Sequence, residues 1–151
     1  MMLRLSRKTL LTVEAVLDIA FYGRLEPVQA KAITDRQGVP QRYLEQAMQH
    51  LVHEGVLKGV RGPRGGYSLA RERRRITISE IVQLISQMEA AQEAAGTSPS
   101  DLGRQVVGPL WEVATEKFMQ ELSAITIEDL CRQAAKAGVK RPDQQKSDFT
   151  I

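Results

Sequence analysis

Cysteine occurs once, at Cys131, tryptophan once, at Trp111, and histidine twice, at His50 and His53. One cysteine excludes an intramolecular disulfide framework and is compatible with a reducing compartment. No apolar run approaches the roughly 20 residues needed to cross a bilayer. Arg4, Arg7 and Lys8 are not followed by the apolar region and small-residue cleavage pattern of a signal peptide. These absences predict a cytoplasmic protein with no membrane partner. The chain also lacks a nucleophile–base pair, a metal triad, a phosphate loop and repeats of solenoid period, so an enzyme is not expected. Its 151 residues allow one sizeable core with an extra helix or two.

The charge present is unevenly placed. Residues 1–75 hold 14 Lys/Arg and 7 Asp/Glu, whereas residues 76–151 hold 7 and 11, so a net +3 hides a basic front half and an acidic back half. That asymmetry suggests a DNA-facing module carried on a half with another task. Val28 to Asp35 reads as a short helix opened by Pro27, Arg36 to Pro40 as a break, and Gln41 to Glu54 as a second helix. Leu44, Ala47, Met48 and Leu51 share one face of that helix, and Gln41, Arg42, Glu45, Gln46 and Gln49 fall mostly on the other. Arg, Gln and Glu are side chains that read guanine, adenine and cytosine edges. Two apolar runs follow, Gly55–Val60 and Tyr67–Ala70, joined by Arg61-Gly62-Pro63-Arg64-Gly65-Gly66. Glycines and a proline in such a loop make a tight hairpin. Its two guanidiniums suit a minor groove, where negative potential concentrates. A helix-turn-helix followed by a basic hairpin is a winged helix.

Tyr43-Leu44-Glu45-Gln46 and Val60-Arg61-Gly62-Pro63-Arg64-Gly65-Gly66-Tyr67 resemble the Rrf2 family of bacterial transcription regulators. The likeness extends to Leu3-Arg4-Leu5-Ser6, Leu17-Asp18-Ile19-Ala20, Leu110-Trp111, Ile125-Thr126-Ile127 and Asp129-Leu130, and so covers roughly Leu3 to Ala137. The resemblance implies a sequence-specific regulator of transcription, acting as a repressor and a homodimer on a palindromic operator, in cysteine, sulfur, iron or redox metabolism. It implies a sequence-discriminating role for Glu45 and a minor-groove contact for Arg61. Arg64 stands where a family member has glycine. DNA contacts are therefore expected from Gln41, Arg42, Tyr43, Glu45, Gln46, Arg61, Gly62 and Arg64, with Ser6, Arg7 and Lys8 on phosphates. The family often carries Lys-Gly-Arg-Tyr near the start; this chain has Lys8-Thr9-Leu10-Leu11 and lacks that arginine and tyrosine.

Cluster-binding members place three cysteines before the long helix. The matching positions carry Glu93, Pro99 and Gln105, a member's histidine position carries Gly108, and an N-terminal ligand position matches Leu10. A cluster needs thiolate or imidazole donors, so no iron–sulfur cluster, and no other cofactor, is expected there. Cys131, beside Glu128, Asp129 and Arg132, reads as a packing residue rather than a redox one. His50 and His53 have metal spacing but no third ligand, and read as phosphate contacts or packing on the wing. The signal could be a small molecule, a protein partner or an unusual metal arrangement. A regulator with an atypically ligated metal or iron–sulfur centre, and a protein-interaction module without DNA binding, stay open as alternatives.

The predicted fold is mainly α: a winged helix-turn-helix with a two-stranded β wing, plus a long C-terminal dimerisation helix. Residues 1–75 form the DNA-binding domain, 76–137 a dimerisation and effector region with loop 90–103, and 138–151 a flexible tail. Ser6 to Tyr22 is expected as an amphipathic helix with Ser6 as N-cap and Leu10, Val13, Leu17 and Ala20 on its inner side. Arg71 to Arg75 is a charged hinge, read equally as a solvated turn or a phosphate contact. Thr77 or Ser79 starts a helix with Ile81, Val82, Leu84 and Ile85 inward. The long helix is expected from Gln105 to Ala124, with Pro109 drawing its start toward Gly108. Its stripe of Val107, Trp111, Ala114, Phe118, Leu122 and Ile125 reads as a dimer seam. A closing helix spans Ile127 to Ala137.

Overall fold

The computed structural model describes residues 6–91 and 98–141. The expectations for Leu3 to Leu5, Glu93 and the end of the tail lie outside the described residues. Helix α1 is Arg7–Tyr22, and Ser6 caps it by accepting from Thr9 N at 3.1 Å. Its inner face matches the expected one only in part, since Val13, Leu17 and Ala20 lie against the core but Leu10 does not. Leu10 is 62% exposed and Val13 and Leu17 are half-buried, while Thr9, Thr12, Ala15, Val16 and Ile19 are buried with Ala20. Threonine can occupy that face because its hydroxyl finds a partner within the helix: Thr12 Oγ1 donates to Lys8 O at 2.7 Å. Helix α1 contacts the helices at residues 30–37, 78–90 and 127–136 and the strand at 66–69, so burial follows several neighbours rather than one apolar stripe.

Helix α2 is Ala30–Gln37, two residues later than expected. Val28 does not join it. Val28 instead pairs with Tyr67 as an isolated antiparallel bridge, Val28 N to Tyr67 O at 2.9 Å and Tyr67 N to Val28 O at 2.8 Å. Both its backbone groups are thereby satisfied outside a helix. Gly38 ends α2 in the left-handed region at φ 70°, with Val39 N returning to Thr34 O at 3.1 Å. The break is therefore shorter than expected, and Arg36 belongs to α2. Beyond Pro40 the expected single helix is two pieces, a 3₁₀ turn over Gln41–Leu44 and α3 over Glu45–His53. Strands β1, Leu57–Val60, and β2, Gly66–Leu69, pair antiparallel with Leu57 opposite Leu69 and Val60 opposite Gly66.

A 3₁₀ turn over Arg73–Arg75 leads to α4, Ile78–Ala90, capped by Thr77. The next helical path begins earlier than expected, at Asp101. It widens into a π turn over Gly103–Val107, where Gly108 N bonds back to Gly103 O, and continues as α5, Gly108–Ser123. Pro109 has no N–H to donate and its ring crowds the carbonyl four residues back. The wider turn immediately before it relieves both demands and lets the helix pass through the proline. Helix α6, Ile127–Lys136, follows a Thr77–Thr126 bridge that sews it to the start of α4. The core joins Val16, Ile19, Ile33, Leu44, Leu51, Leu57, Ile76, Ile81 and Ile85 to Ile127 and Cys131, so residues on both sides of the Arg71–Arg75 turn share one interior. Among the described residues, no helix is long and apolar enough to cross a membrane.

The cap of α6 generates a pH prediction. Thr126 N donates to Asp129 Oδ2 at 2.9 Å and Asp129 N donates to Thr126 Oγ1 at 3.1 Å. The hydrogen bonds from Thr126 hold the Asp129 carboxyl below its ordinary range. A depressed folded pKa stabilises fully above the unfolded value of about 3.9 and is lost as pH falls through the lowered folded value. Asp129→Asn is expected to shallow the fall of melting temperature on acidification below about pH 4. Thermal denaturation across pH checks it; equal acid slopes in the two proteins would contradict it.

Candidate nucleic-acid interface

The two faces of Gln41–His53, the reading segment expected from the sequence, separate as its spacing requires. Leu44, Ala47, Met48 and Leu51 are buried, and Gln41, Arg42, Glu45, Gln46 and Gln49 are exposed. Tyr43 is half-buried, and Lys8 Nζ lies 5.5 Å from the centroid of its ring. That contact brings the α1 end of the molecule to the start of the reading segment, with Arg7 exposed beside it. Ser6 is engaged inside the protein: its hydroxyl caps Thr9 N and donates to Glu89 Oε1 at 2.6 Å. His50 is half-buried and His53 exposed, and no group of three potential metal ligands forms among the described residues.

The wing projects Arg61, Gly62, Pro63 and Arg64 into solvent. Neither Arg61 nor Arg64 forms an ion pair among the described residues, in contrast to Arg36, Arg71, Arg74, Arg104 and Arg132. Gly65 N bonds to Gly62 O at 2.9 Å, closing the tip, and Gln29 Nε2 reaches Pro63 O at 3.3 Å. Gly66 sits where the wing meets Val28. A Cβ there would lie 2.3 Å from Val28 O, so the bridge requires glycine.

A cleft of about 500 Å³ opens between α2, the reading segment and the wing, lined in part by Ile33, Arg42, Glu45, Met48 and Tyr67. A second of about 600 Å³ is lined in part by Lys31, Val52, Arg61 and Gly62. Burial, and then the nearby Glu45 carboxylate, raise the Tyr67 pKa and keep the phenol protonated.

Several charged groups have structural duties that local sequence did not disclose. Arg36 forks onto the buried Asp18 carboxylate, Nε to Oδ2 and Nη2 to Oδ1 both at 2.7 Å, and its guanidinium lies 4.4 Å from the Tyr22 ring centroid. The Asp18 hydrogen bond raises the Arg36 pKa, and the pair clamps α2 against α1. Within the charged hinge, Arg71 bonds Gly55 O at 3.3 Å and Glu80 Oε1 at 2.6 Å, which fastens the wing's base to α4. Arg74 pairs with Glu72, while Arg75 is exposed.

The α5 stripe divides. Val107, Trp111 and Ala114 are exposed and Phe118 is half-buried, but Leu122 and Ile125 pack against the protein's own core. Leu102, Val106, Leu110 and Val113, absent from the expected stripe, widen the exposed apolar face. The helix begins earlier and turns more widely before Gly108 than a regular spacing assumes. Cys131 is buried within the core; burial raises its pKa, with Arg73 opposing. Pro99 and Gly108 have no side-chain donor, and Gln105, in the π turn, offers only a carboxamide. These three positions supply neither a thiolate nor an imidazole.

Over residues 5–133 the chain matches the profile of Rrf2, described as an iron-dependent transcriptional regulator. It is 33% identical over 147 residues to the HTH-type transcriptional regulator IscR of Xenorhabdus nematophila, covering 97% of this chain and 88% of that protein. Among solved structures it is similar to T. potens IscR, with a TM-score of 0.69 and 32% identity over 92% of this chain and 93% of that one. It also shares the fold of CymR, the global cysteine regulator of B. subtilis, with a TM-score of 0.67 and 24% identity over 87% and 98% of the two chains.

Gly66→Ala is expected to push the wing away from Val28 and lower stability by roughly 1–3 kcal/mol. Chemical denaturation measures the loss; an unchanged midpoint would show that the bridge does not constrain position 66.

Proposed function

The chain belongs to the Rrf2 family of transcriptional regulators, and on that premise we propose that it binds a palindromic operator as a homodimer and represses transcription. The carrying observation is the pair of exposed wing guanidiniums, Arg61 and Arg64, without acidic partners among the described residues, beside the exposed Gln41, Arg42, Glu45 and Gln46. Those groups suit base edges in a major groove, and the wing suits the minor groove next to it. Arg42 and Glu45 are the base readers, with Gln41 and Gln46 behind them. Arg7, Lys8 and Tyr43 face the sugar–phosphate backbone. Ser6 acts there through the helix it caps rather than through a free hydroxyl.

The exposed apolar face of α5 supports the homodimer. Leu102, Val106, Val107, Leu110 and Trp111 are between 49% and 73% exposed and fall on one helical path. Two copies joined along it would carry two reading heads, as a two-fold operator demands. Bound across a promoter, such a dimer excludes other proteins from the same DNA. The relatives' descriptions, an iron-dependent regulator and a global cysteine regulator, support target genes in cysteine, sulfur, iron or redox metabolism. A protein that acts on the genome works in the cytoplasm of a bacterium. Its signal is a small molecule or a protein rather than a cluster held at Pro99, Gln105 and Gly108, because that donor set lacks thiolate and imidazole.

Arg61→Ala is expected to weaken operator binding by about 1–3 kcal/mol. Removing Arg64 as well should lower the salt slope of binding by about two units if both guanidiniums meet phosphates or the groove. Titration against an operator selected from random duplexes measures both, and unchanged affinity in the double variant would refute the proposal. Trp111→Lys should convert the dimer to monomer in sedimentation; a dimer of unchanged strength would remove α5 as the seam. Anaerobically purified protein should show no cluster absorbance and no stoichiometric iron; visible cluster bands would overturn the cluster-free reading.

A further inference from the structure

The clefts on either side of the wing's root meet at three residues. Ala30, Gln41 and Tyr67 line both, so they form the ridge between the cleft that holds Arg42 and Glu45 and the cleft walled by Arg61 and Gly62. The proposed function sets the reading segment in a major groove and the wing in the adjoining minor groove. Adjacent grooves of a duplex are separated by one sugar–phosphate strand, and that strand must cross the ridge between the two readers.

On this ridge Tyr67 is built as a fixed donor. Its main chain is held from both sides, by Val28 at 2.9 and 2.8 Å and by its place opposite Gly59 in the wing ladder. The residue opposite has no side chain, so the ring is not covered from across the strand pair. Tyr67 is half-buried, and its hydroxyl forms no hydrogen bond among the described residues. Burial, and secondarily the Glu45 carboxylate, raise the Tyr67 pKa, so the phenol stays protonated and is a donor suited to a phosphate oxygen. Ala30 offers no polar side-chain atom, and Gln41 sits on the exposed 3₁₀ turn without a ladder to fix it.

We propose that Tyr67 is an operator-binding residue that donates its hydroxyl to the phosphate lying between the major-groove and minor-groove contacts of each half-site. It carries no base information. It sets the register of the strand from which Glu45 and Arg61 read in opposite directions. The proposal rests on the groove assignment above.

The test uses the full-length protein and an operator selected from random duplexes. Tyr67→Phe keeps the ring and removes only the hydroxyl. It should weaken binding about tenfold, as loss of a hydrogen bond to a charged group does. The loss should be equal on operator and on unrelated duplex, with the melting temperature unchanged. Replacing single phosphates by neutral methylphosphonates reads the same contact without a mutation. In the wild-type protein the sensitive position should lie between the grooves, and in Tyr67→Phe that substitution should cost less. Wild-type affinity in Tyr67→Phe, or full additivity of the two changes, overturns the proposal. Arg61→Ala, run alongside, separates the failures. If it weakens operator binding while Tyr67→Phe does not, the grooves are assigned correctly and Tyr67 alone is wrong. If neither change matters, the groove assignment fails as well.

Discussion

Two hydrogen bonds between Val28 and Tyr67 set the relation between everything that precedes the turn and everything that projects from it. Without them the wing would be a two-stranded hairpin held by its packing on α1 and α3, and a hairpin by itself is marginally stable in water. With them, the residue that leads into α2 becomes a third strand segment of the wing. Gly66 is the residue that permits this approach, and Gln29, next to Val28, extends the attachment to the tip through Pro63.

The arginines show how the protein separates structural charge from charge left for a ligand. Arg36 spends its fork on the buried Asp18, and Arg71 bridges Gly55 and Glu80. A planar guanidinium suits such two-point contacts better than an ammonium does. Arg42, Arg61 and Arg64 are exposed and form no such pair among the described residues. Composition counts all of these residues alike. Only their partners divide the set into those that hold helices together and those that face outward.

The apolar surface divides in the same way. The helical path through α5 begins outside the core, with Leu102, Leu110 and Trp111 exposed, and ends on it, with Leu122 and, just past the helix, Ile125 packed against the core. The far end of α5 is then fixed by the Thr77–Thr126 bridge. A helix anchored at one end and apolar along its free end is suited to present a surface to a second copy. Its rigid attachment to α4 would tie the spacing of two reading heads to the fold rather than to a flexible linker.

Much of this protein was written locally. Ser6 as a cap, the helix-turn-helix with its wing, and the inward set Leu44, Ala47, Met48 and Leu51 all follow from short-range rules of capping, periodicity and turn chemistry, whereas those rules left Thr77 and Ser79 both open as the start of α4. Tertiary structure decided what those rules do not see. Val28 left the helix for a strand because a partner 39 positions away by number supplied its hydrogen bonds. Thr9 and Thr12 displaced Leu10 from the core because α1 is packed on several sides. Arg36 became a clamp because Asp18 lay buried opposite it, and Pro109 stayed inside a helix because a wider turn made room. The sequence by itself determined the order of helices and wing and the inward face of Gln41–His53, since those depend on neighbours along the chain. Only the folded chain decided which charges are paired and which apolar side chains are covered, because those depend on groups brought together across it.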